Sequence, residues 1–458
     1  MSSDLAFDIR HSTLDTSRFG SGATVWVAFS GGLDSTVLLH QLKQTGLPIR
    51  ALHVNHHLQN AANRWVEHCR EFCGQLSVPI YVLDVKIDPN HRDGPEAAAR
   101  EARYEAFASV MKPGDWLATA HHQDDQAETV LLRLLRGSGV AGLAAMRTVS
   151  ASPAGRLWRP LLRQSRAALR DYAERHHLPW IEDPHNQDPR YARSFLRNEI
   201  FPHLAQKWPQ AVEQIARTAE LCADAIELLD EMARKDYKKS VIPAKAGRRD
   251  SNQVAGTRAK RFGIQGLSVR ALLELDRPRR NNVLRYWAAQ GAREIPSFDA
   301  LSRLEKEVLR ARPDAAPVLG WGDTELRRFR DALHLMPRLR PPPAKDTALE
   351  WDGRTDLALP SGCGTLKVLK PARAELPLRV VFVRGGERLK PAGARFTRTL
   401  RNLFQEEAIP PWVRERMPLV QLDGELAAVA DRWETPALQK ARTRHKARWQ
   451  WQHALPGV

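Results

Sequence analysis

The chain has 458 residues, with 70 Lys and Arg against 53 Asp and Glu and a formal net charge of +17 at pH 7. That length holds about three domains of ~150 residues each, and so basic a balance points to a polyanionic partner, nucleic acid first. Its four cysteines, Cys69, Cys73, Cys222 and Cys363, form no C-x-x-C and no zinc spacing; no basic-then-apolar leader or run of ~18 apolar residues argues for secretion or a membrane span, so a soluble cytoplasmic protein with no membrane partner is expected.

The first predicted element is a buried strand, Val25 to Phe29, short, apolar and rich in valine. Ser30-Gly31-Gly32 then reads as a permissive turn, and helical spacing resumes from Asp34 to Leu42. The turn is thus the mouth of a helix, where free backbone N–H groups and the helix dipole favour an anion such as phosphate. Ser30, Gly31, Gly32, Leu33, Asp34 and Ser35 form the candidate site. Asp34 is the odd member, since a carboxylate beside a phosphate repels it unless a cation such as Mg²⁺ lies between them. No Gly-Lys-Ser/Thr closes the turn, which argues against a Walker A loop. The string Ser-Gly-Gly-Leu-Asp-Ser resembles the PP-loop of the ATP pyrophosphatase superfamily, whose members bind the pyrophosphate part of ATP and make adenylated intermediates.

Strand-like and helix-like segments alternate onward to about Trp208: strand Ile49 to Val54, helix Trp65 to Leu76, strand Ile80 to Val85, helix Pro95 to Met111, strand Trp116 to Ala120. This pattern predicts an α/β fold with a parallel sheet, whose ligands bind at the carboxyl ends of the strands. Polar clusters fall there. Asn55-His56-His57 follows the second strand, and His121-His122-Gln123-Asp124-Asp125-Gln126-Ala127-Glu128-Thr129 follows the fourth. Asp125 and Glu128 share one face of a helix's first turn. The adjacent His121 and His122 would point apart from a strand, so Mg²⁺ held by Asp34 and Asp125 is preferred to a transition metal.

The acidic string, together with His53-Val-Asn-His56, Glu96-Ala-Ala-Ala-Arg-Glu-Ala-Arg-Tyr104, Ile181-Glu-Asp-Pro-His-Asn186 and Arg193-Ser-Phe-Leu-Arg-Asn-Glu-Ile200, resembles the tRNA(Ile)-lysidine synthase family. The chain departs from many members at His185, where they carry Ser. The resemblance implies ATP and Mg²⁺ as cofactors, with Asp34, Arg103, Asp125 and Glu128 as catalytic residues and His56 on the nucleotide. It implies free L-lysine and a tRNA(Ile) with a CAU anticodon as partners; a homodimer is compatible with it. Read from the residues alone, Arg103 on an amphipathic helix pairs with phosphate, carboxylate or solvent. Arg193 and Arg197, four apart and joined by Asn198, form either a cationic edge toward RNA or ATP, or a wet surface.

After Pro209 the alternation stops, so residues 1–210 are expected to form the ATP-binding domain. Val212 to Arg234 is helical by its spacing, whereas residues 238–262 are basic, broken by Pro and Gly and aperiodic, the composition of a disordered insertion. Helical spacing returns at Val269 to Leu275. Arg277, Arg279 and Arg280 then stand at a turn, placed to grip a phosphate backbone. Phe298 to Arg310 reads as helix, Glu325 to Met336 as strand, and Pro337 to Ala344 as a semi-rigid linker. Residues 211–345 are therefore expected to be a mainly helical tRNA-binding domain. Residues 346–458, with a strand from Leu378 to Val383, a helix from Thr397 to Glu406 and a final strand pair, are expected to be a small α+β domain, and they resemble the family's RNA-contacting C-terminus. Arg395, Arg398 and Arg401, three apart, are predicted to line one helical face toward RNA.

The resemblance implies a reaction in which the wobble cytidine is adenylated at its C-2 carbonyl oxygen with loss of pyrophosphate. The ε-amine of lysine then displaces AMP. A sulfur-inserting PP-loop enzyme would need reactive cysteines, and a glutamine-fuelled synthetase an amino-terminal one. A non-enzymatic RNA-binding protein has no use for the intact loop and acidic cluster.

Overall fold

Successive residues of the first strand belong to different cores. The N-terminal sheet contains β1 (Val25–Ala28), β2 (Ile49–Asn55), β3 (Ile80–Asp84), β4 (Trp116–Ala118), β5 (Val149–Ser152) and β6 (Gly155–Trp158), in the order β3-β2-β1-β4-β6-β5. Val25, Val27 and Phe29 pack on one face with Leu38, Phe72 and Leu169, while Trp26 packs on the other with Phe107 and Leu117, as the period of two in a strand requires. Helices α1 (Leu33–Gln44), α2 (Ala62–Gln75), α3 (Pro95–Val110), α4 (Gln123–Leu135), α5 (Val140–Leu143) and α6 (Arg166–Arg175) follow the strands. This computed structural model describes residues 22–55, 62–85, 95–182, 192–242, 266–290, 298–312, 315–360 and 362–453. Its two compact units are Met1–Leu228 and Leu229–Val458.

The expected parallel sheet is present, each predicted strand lying within about two residues of its place. The sequence reading lacked the hairpin of β5 and β6. It runs antiparallel, with β6 parallel to β4. Its strands, Val-Ser-Ala-Ser and Gly-Arg-Leu-Trp, carry too few consecutive apolar residues to announce themselves. From β1 the chain runs outward through β2 and β3, then returns to place β4 on the other side of β1. The gap between the carboxyl ends of β1 and β4 is the topological switch point where such sheets bind ligands.

One buried carboxylate fixes the amino ends of those two strands. Asp115 accepts hydrogen bonds from Thr24 N at 3.0 Å, Trp26 Nε1 at 2.8 Å and Lys112 N at 2.9 Å. Burial alone would raise its pKa, but the three donors and the Lys112 charge hold it below the ordinary carboxylate value.

After the polar cluster the chain forms α7 (Ala192–Phe195), a π-helical turn Leu196–Ile200, α8 (Phe201–Lys207) and the long α9 (Ala211–Ser240). The expected insertion at 238–262 begins too early: Lys238, Lys239 and Ser240 complete α9, the lysines suiting its carboxyl-terminal dipole and Ser240 being buried. Val241 bridges Leu267, and Ile242 N donates to Gly266 O at 2.8 Å. The segment between them, residues 243–265, lies outside the described residues.

The second unit continues with helices Val269–Glu274, Arg277–Ala289 and Phe298–Arg303, the last extended by a π-helical turn Leu304–Leu309. Leu267–Ser268, Val318–Trp321, Thr324–Phe329 and Ala332–Pro337 form a four-stranded sheet over them. The single strand expected from Glu325 to Met336 is thus a hairpin, turned at Arg330, whose φ is +55°. A five-stranded antiparallel sheet, a three-stranded one and the helix Leu400–Glu406 build the C-terminal core around Trp412, Phe382 and Val420.

Substituting Asp115→Ala strands one buried and two partly buried donors, so the urea midpoint should fall by the equivalent of about 2–4 kcal/mol. Because the folded carboxyl has a depressed pKa, its contribution is present above about 3.8 and disappears as pH falls through the lower folded value. Wild type and variant should therefore converge in acid; a constant gap down to pH ~2 would contradict this account.

Candidate active site

The glycine turn is shaped by its own side chains. Ser35 Oγ accepts from Ser30 N at 3.2 Å and lies 3.1 Å from Ser30 Oγ, while donating to Gly32 O at 3.0 Å. Gly31 has φ +80°, and a Cβ there would stand 2.9 Å from Cys69 Sγ, so only glycine fits. Ile181 N donates to Gly31 O at 2.9 Å, seating the segment after α6 against the turn. Gly32 caps α1 without a side-chain hydrogen bond, leaving the first backbone N–H groups of the helix for an anion.

Across the switch point, the end of β4 delivers His122 to this mouth. Its ring is 2% exposed; Nε2 lies 3.6 Å from Asp34 Oδ2 and 3.5 Å from Asp125 Oδ2, and Nδ1 lies 3.5 Å from Asp124 Oδ2. Burial opposes a charge on this imidazole, yet Asp125, Asp124 and Asp34 raise its pKa to about 10. It is therefore a buried imidazolium at neutral pH. His121 differs: burial pushes its pKa down and keeps it neutral, with Nδ1 2.8 Å from Thr119 Oγ1.

A second cation completes the cluster. Arg197, in the π-helical turn, donates from Nε to Glu128 Oε1 at 2.8 Å and from Nη2 to Asp125 Oδ1 at 3.2 Å. Asp125 also accepts from His122 N at 3.1 Å through Oδ2. Burial would raise the Asp125 pKa, but His122, with help from Arg197, holds it down. Glu128 is fully buried, and burial raises its pKa despite Arg197. Asp124 instead accepts Arg166 N at 2.9 Å, tying the cluster to the start of α6.

Two buried oxygens here, Asp34 Oδ1 and Glu128 Oε2, have no hydrogen-bond partner. Among the described residues no three His, Cys, Asp or Glu side chains converge as a metal cage. Mg²⁺ needs no such cage, since it commonly takes one or two carboxylates and completes its shell with phosphate and water; Asp34 Oδ1 fits that donor set. Asp125, expected beside Asp34 on the metal, has both oxygens committed to His122 and Arg197 and fits it less well.

Residues 9–204 match the family model of a PP-loop domain, residues 267–334 that of the TilS substrate binding domain, and residues 378–451 that of the TilS substrate C-terminal domain. The chain is 40% identical over 440 residues to the tRNA(Ile)-lysidine synthase of Xanthomonas campestris pv. campestris (strain 8004), covering 95% of this chain and 96% of that one. It is 40% identical to the Methylococcus capsulatus tRNA(Ile)-lysidine synthase, with 91% and 94% covered. The chain belongs to the tRNA(Ile)-lysidine synthase family.

For a lysidine synthase, several sequence expectations land differently in the structure. Arg197 was grouped with Arg193 and Asn198 as an edge for RNA, but its guanidinium turns inward and closes the acidic cluster. The charge of Arg193 acts on His121 and Glu128, and Asn198 is exposed. Arg103 lies on α3, where burial lowers its pKa, with the Arg100 charge acting the same way and Tyr104 opposing it. His56, Asp183, His185 and Asn186 lie outside the described residues.

The arginines of the second unit divide similarly. Arg280 is 6% exposed and bound to Leu275 O and Glu305, so it cannot grip a phosphate. Arg279 forks onto the buried Asp236, leaving Arg277 exposed. Arg395, Arg398 and Arg401 do not share a helical face. Thr399 caps the helix by accepting Asn402 N, so only Arg401 is helical; Arg398 sits in a two-residue strand, paired with Glu406, and Arg395 in the preceding loop. His122, weighed in the sequence only as a transition-metal ligand and set aside, stands at the centre of the acidic cluster. Its signal was the three nearby acids, but only the β1–β4 crossing brings Asp34 to it.

The raised pKa of His122 sets a pH dependence. Its stabilisation is complete below the ordinary histidine value near 6.5 and disappears as pH rises through about 10. Wild-type thermal stability should decline across that interval. His122→Gln should be less stable at pH 7 by roughly 3–5 kcal/mol, having left the carboxylates without their cation, and nearly flat from pH 7 to 10. A wild-type profile as flat as the variant's would remove the imidazolium.

Proposed function

We propose that this protein ligates free lysine to C-2 of the wobble cytidine of a CAU-anticodon tRNA(Ile), consuming ATP and forming lysidine. The observation that carries this reading is the meeting of the PP-loop mouth, through Asp34, with the His122–Asp125–Glu128–Arg197 cluster at one switch point. The cytidine C-2 oxygen attacks the α-phosphorus of ATP and pyrophosphate leaves. The lysine ε-amine then adds to C-2, loses a proton, and AMP departs with the former carbonyl oxygen. An amide-like oxygen is a poor leaving group and AMP is a good one, which is why the base must be adenylated first.

In this mechanism the Ser30 to Ser35 turn binds the pyrophosphate part of ATP, its backbone N–H groups facing the charge that develops on leaving. Asp34 would hold Mg²⁺ with the phosphates, and the ion when bound would neutralise charge on them. Residues 1–210 act as the catalytic part, with residues 211–345 and 346–458 engaging tRNA. The enzyme works in the cytoplasm; among the described residues no helix is long and apolar enough to cross a membrane.

Incubation with ATP, Mg²⁺, radiolabelled lysine and bacterial tRNA should transfer label to RNA with release of AMP and pyrophosphate. Asp34→Ala should slow that transfer by about 10²-fold or more while tRNA affinity stays near wild type. Label transfer at the wild-type rate would take Asp34 out of the mechanism, and no transfer by the wild type would refute the reading.

A further inference from the structure

Phe396 is 74% exposed, the most exposed aromatic ring among the described residues. Phe382, Phe404, Trp351, Trp412, Trp449 and Trp451 of this domain are buried in its core, and Trp433 packs partly buried against it. Nor does Phe396 sit on a frayed end. Arg388–Leu389 pairs with Arg398–Thr399 beneath it, and Leu389 and Leu400 are buried beside those pairs. The loop between is pinned by Ala392 N donating to Glu434 O at 2.8 Å and turned by Ala394 N donating to Pro391 O at 3.0 Å. The fold thus holds up a bare phenyl ring on a fixed loop.

Its surroundings are cationic. Arg384, Arg388, Lys390, Arg395 and Arg401 are all exposed. The one acid between residues 384 and 401, Glu387, turns its carboxylate onto the Arg384 and Gly385 backbone N–H groups. An apolar protein partner covering the ring would have to desolvate these cations without paired charge. A polyanion with flat apolar faces meets both demands.

We infer that Phe396 is a stacking platform for an unpaired nucleobase of the tRNA, with Arg395 and Arg401 holding the flanking phosphates. The inference rests on tRNA being the substrate. A paired base inside a helix shows only its edges, whereas an unpaired or terminal base offers a whole face to a ring. A phenyl group makes no hydrogen bonds, so the contact adds affinity and register with little sequence preference.

The test is equilibrium binding of full-length protein to a tRNA transcript across a salt series. Phe396→Ala should weaken binding about tenfold or more with an unchanged salt slope. Phe396→Tyr should bind within about twofold of wild type and Phe396→Leu as poorly as the alanine variant, because a face is required. Arg401→Glu should instead flatten the slope by about one unit or more. Wild-type affinity in Phe396→Ala would overturn the inference. So would full rescue by leucine, or an alanine variant changed only in self-association or in binding to anionic vesicles. If wild-type protein fails to bind tRNA at all, the functional reading falls, and this inference with it.

Discussion

Four carboxylates, Asp34, Asp124, Asp125 and Glu128, converge beside a turn built to receive phosphate, and none of them belongs there without compensating charge. Unit like charges about 4 Å apart repel by roughly 4 kcal/mol at an effective dielectric of ~20, and a triphosphate adds several more. The protein answers with two built-in cations. The His122 imidazolium stands between Asp34, Asp124 and Asp125, and the Arg197 guanidinium spans Asp125 and Glu128. Asp125 is the shared member, touched by both cations, so the two halves behave as one charged network. What remains without a hydrogen-bond partner in the network is one oxygen on Asp34, one on Glu128 and Nδ1 of His122.

Topology makes this network possible. Asp34 lies in the first turn after β1 and His122 at the end of β4, and the two strands are neighbours only because the chain reverses its direction of winding there. Arg197 arrives from a π-helical turn, a widened geometry that recurs at functional sites. Asp115 secures the amino ends of the same two strands. The separation between the loop and the acids is therefore fixed at both ends of the sheet.

Much of this was legible in the order of residues. The valine-rich first strand, the Ser-Gly-Gly turn and the acidic string at a strand end carry their meaning locally, within a few positions of one another. The pairing of Arg197 with Glu128 does not, because the partners are 69 residues apart and a helical arginine looks the same whether it faces water or a buried acid. Helix starts were misjudged for a related reason. A three-residue spacing of arginines suggested a helix through Arg395 and Arg398, but Thr399 ends the strand and opens the helix with its own hydroxyl. Cys69 and Cys73 pack in the core, and burial raises them to about 12 and Cys363 to about 11, leaving no activated thiol among these three for sulfur chemistry.

The excess of positive charge, the first hint of an RNA partner, is a mixture of two populations that only burial separates. Arg159, Arg280 and Arg416 are almost wholly buried and bind backbone carbonyls: Arg159 takes Arg147 O, Arg280 takes Leu275 O, and Arg416 takes Trp412 O and Arg340 O. Arginine suits that work because its planar fork presents several donors in fixed directions and never loses its charge. Such residues contribute to the formal charge but present no charged head to a polyanion. The field that tRNA meets must come from the exposed remainder, and between residues 384 and 401 five exposed cations face a single acid turned onto the backbone. Contact with RNA depends on where positive charge is left uncompensated, not on how much of it the chain contains.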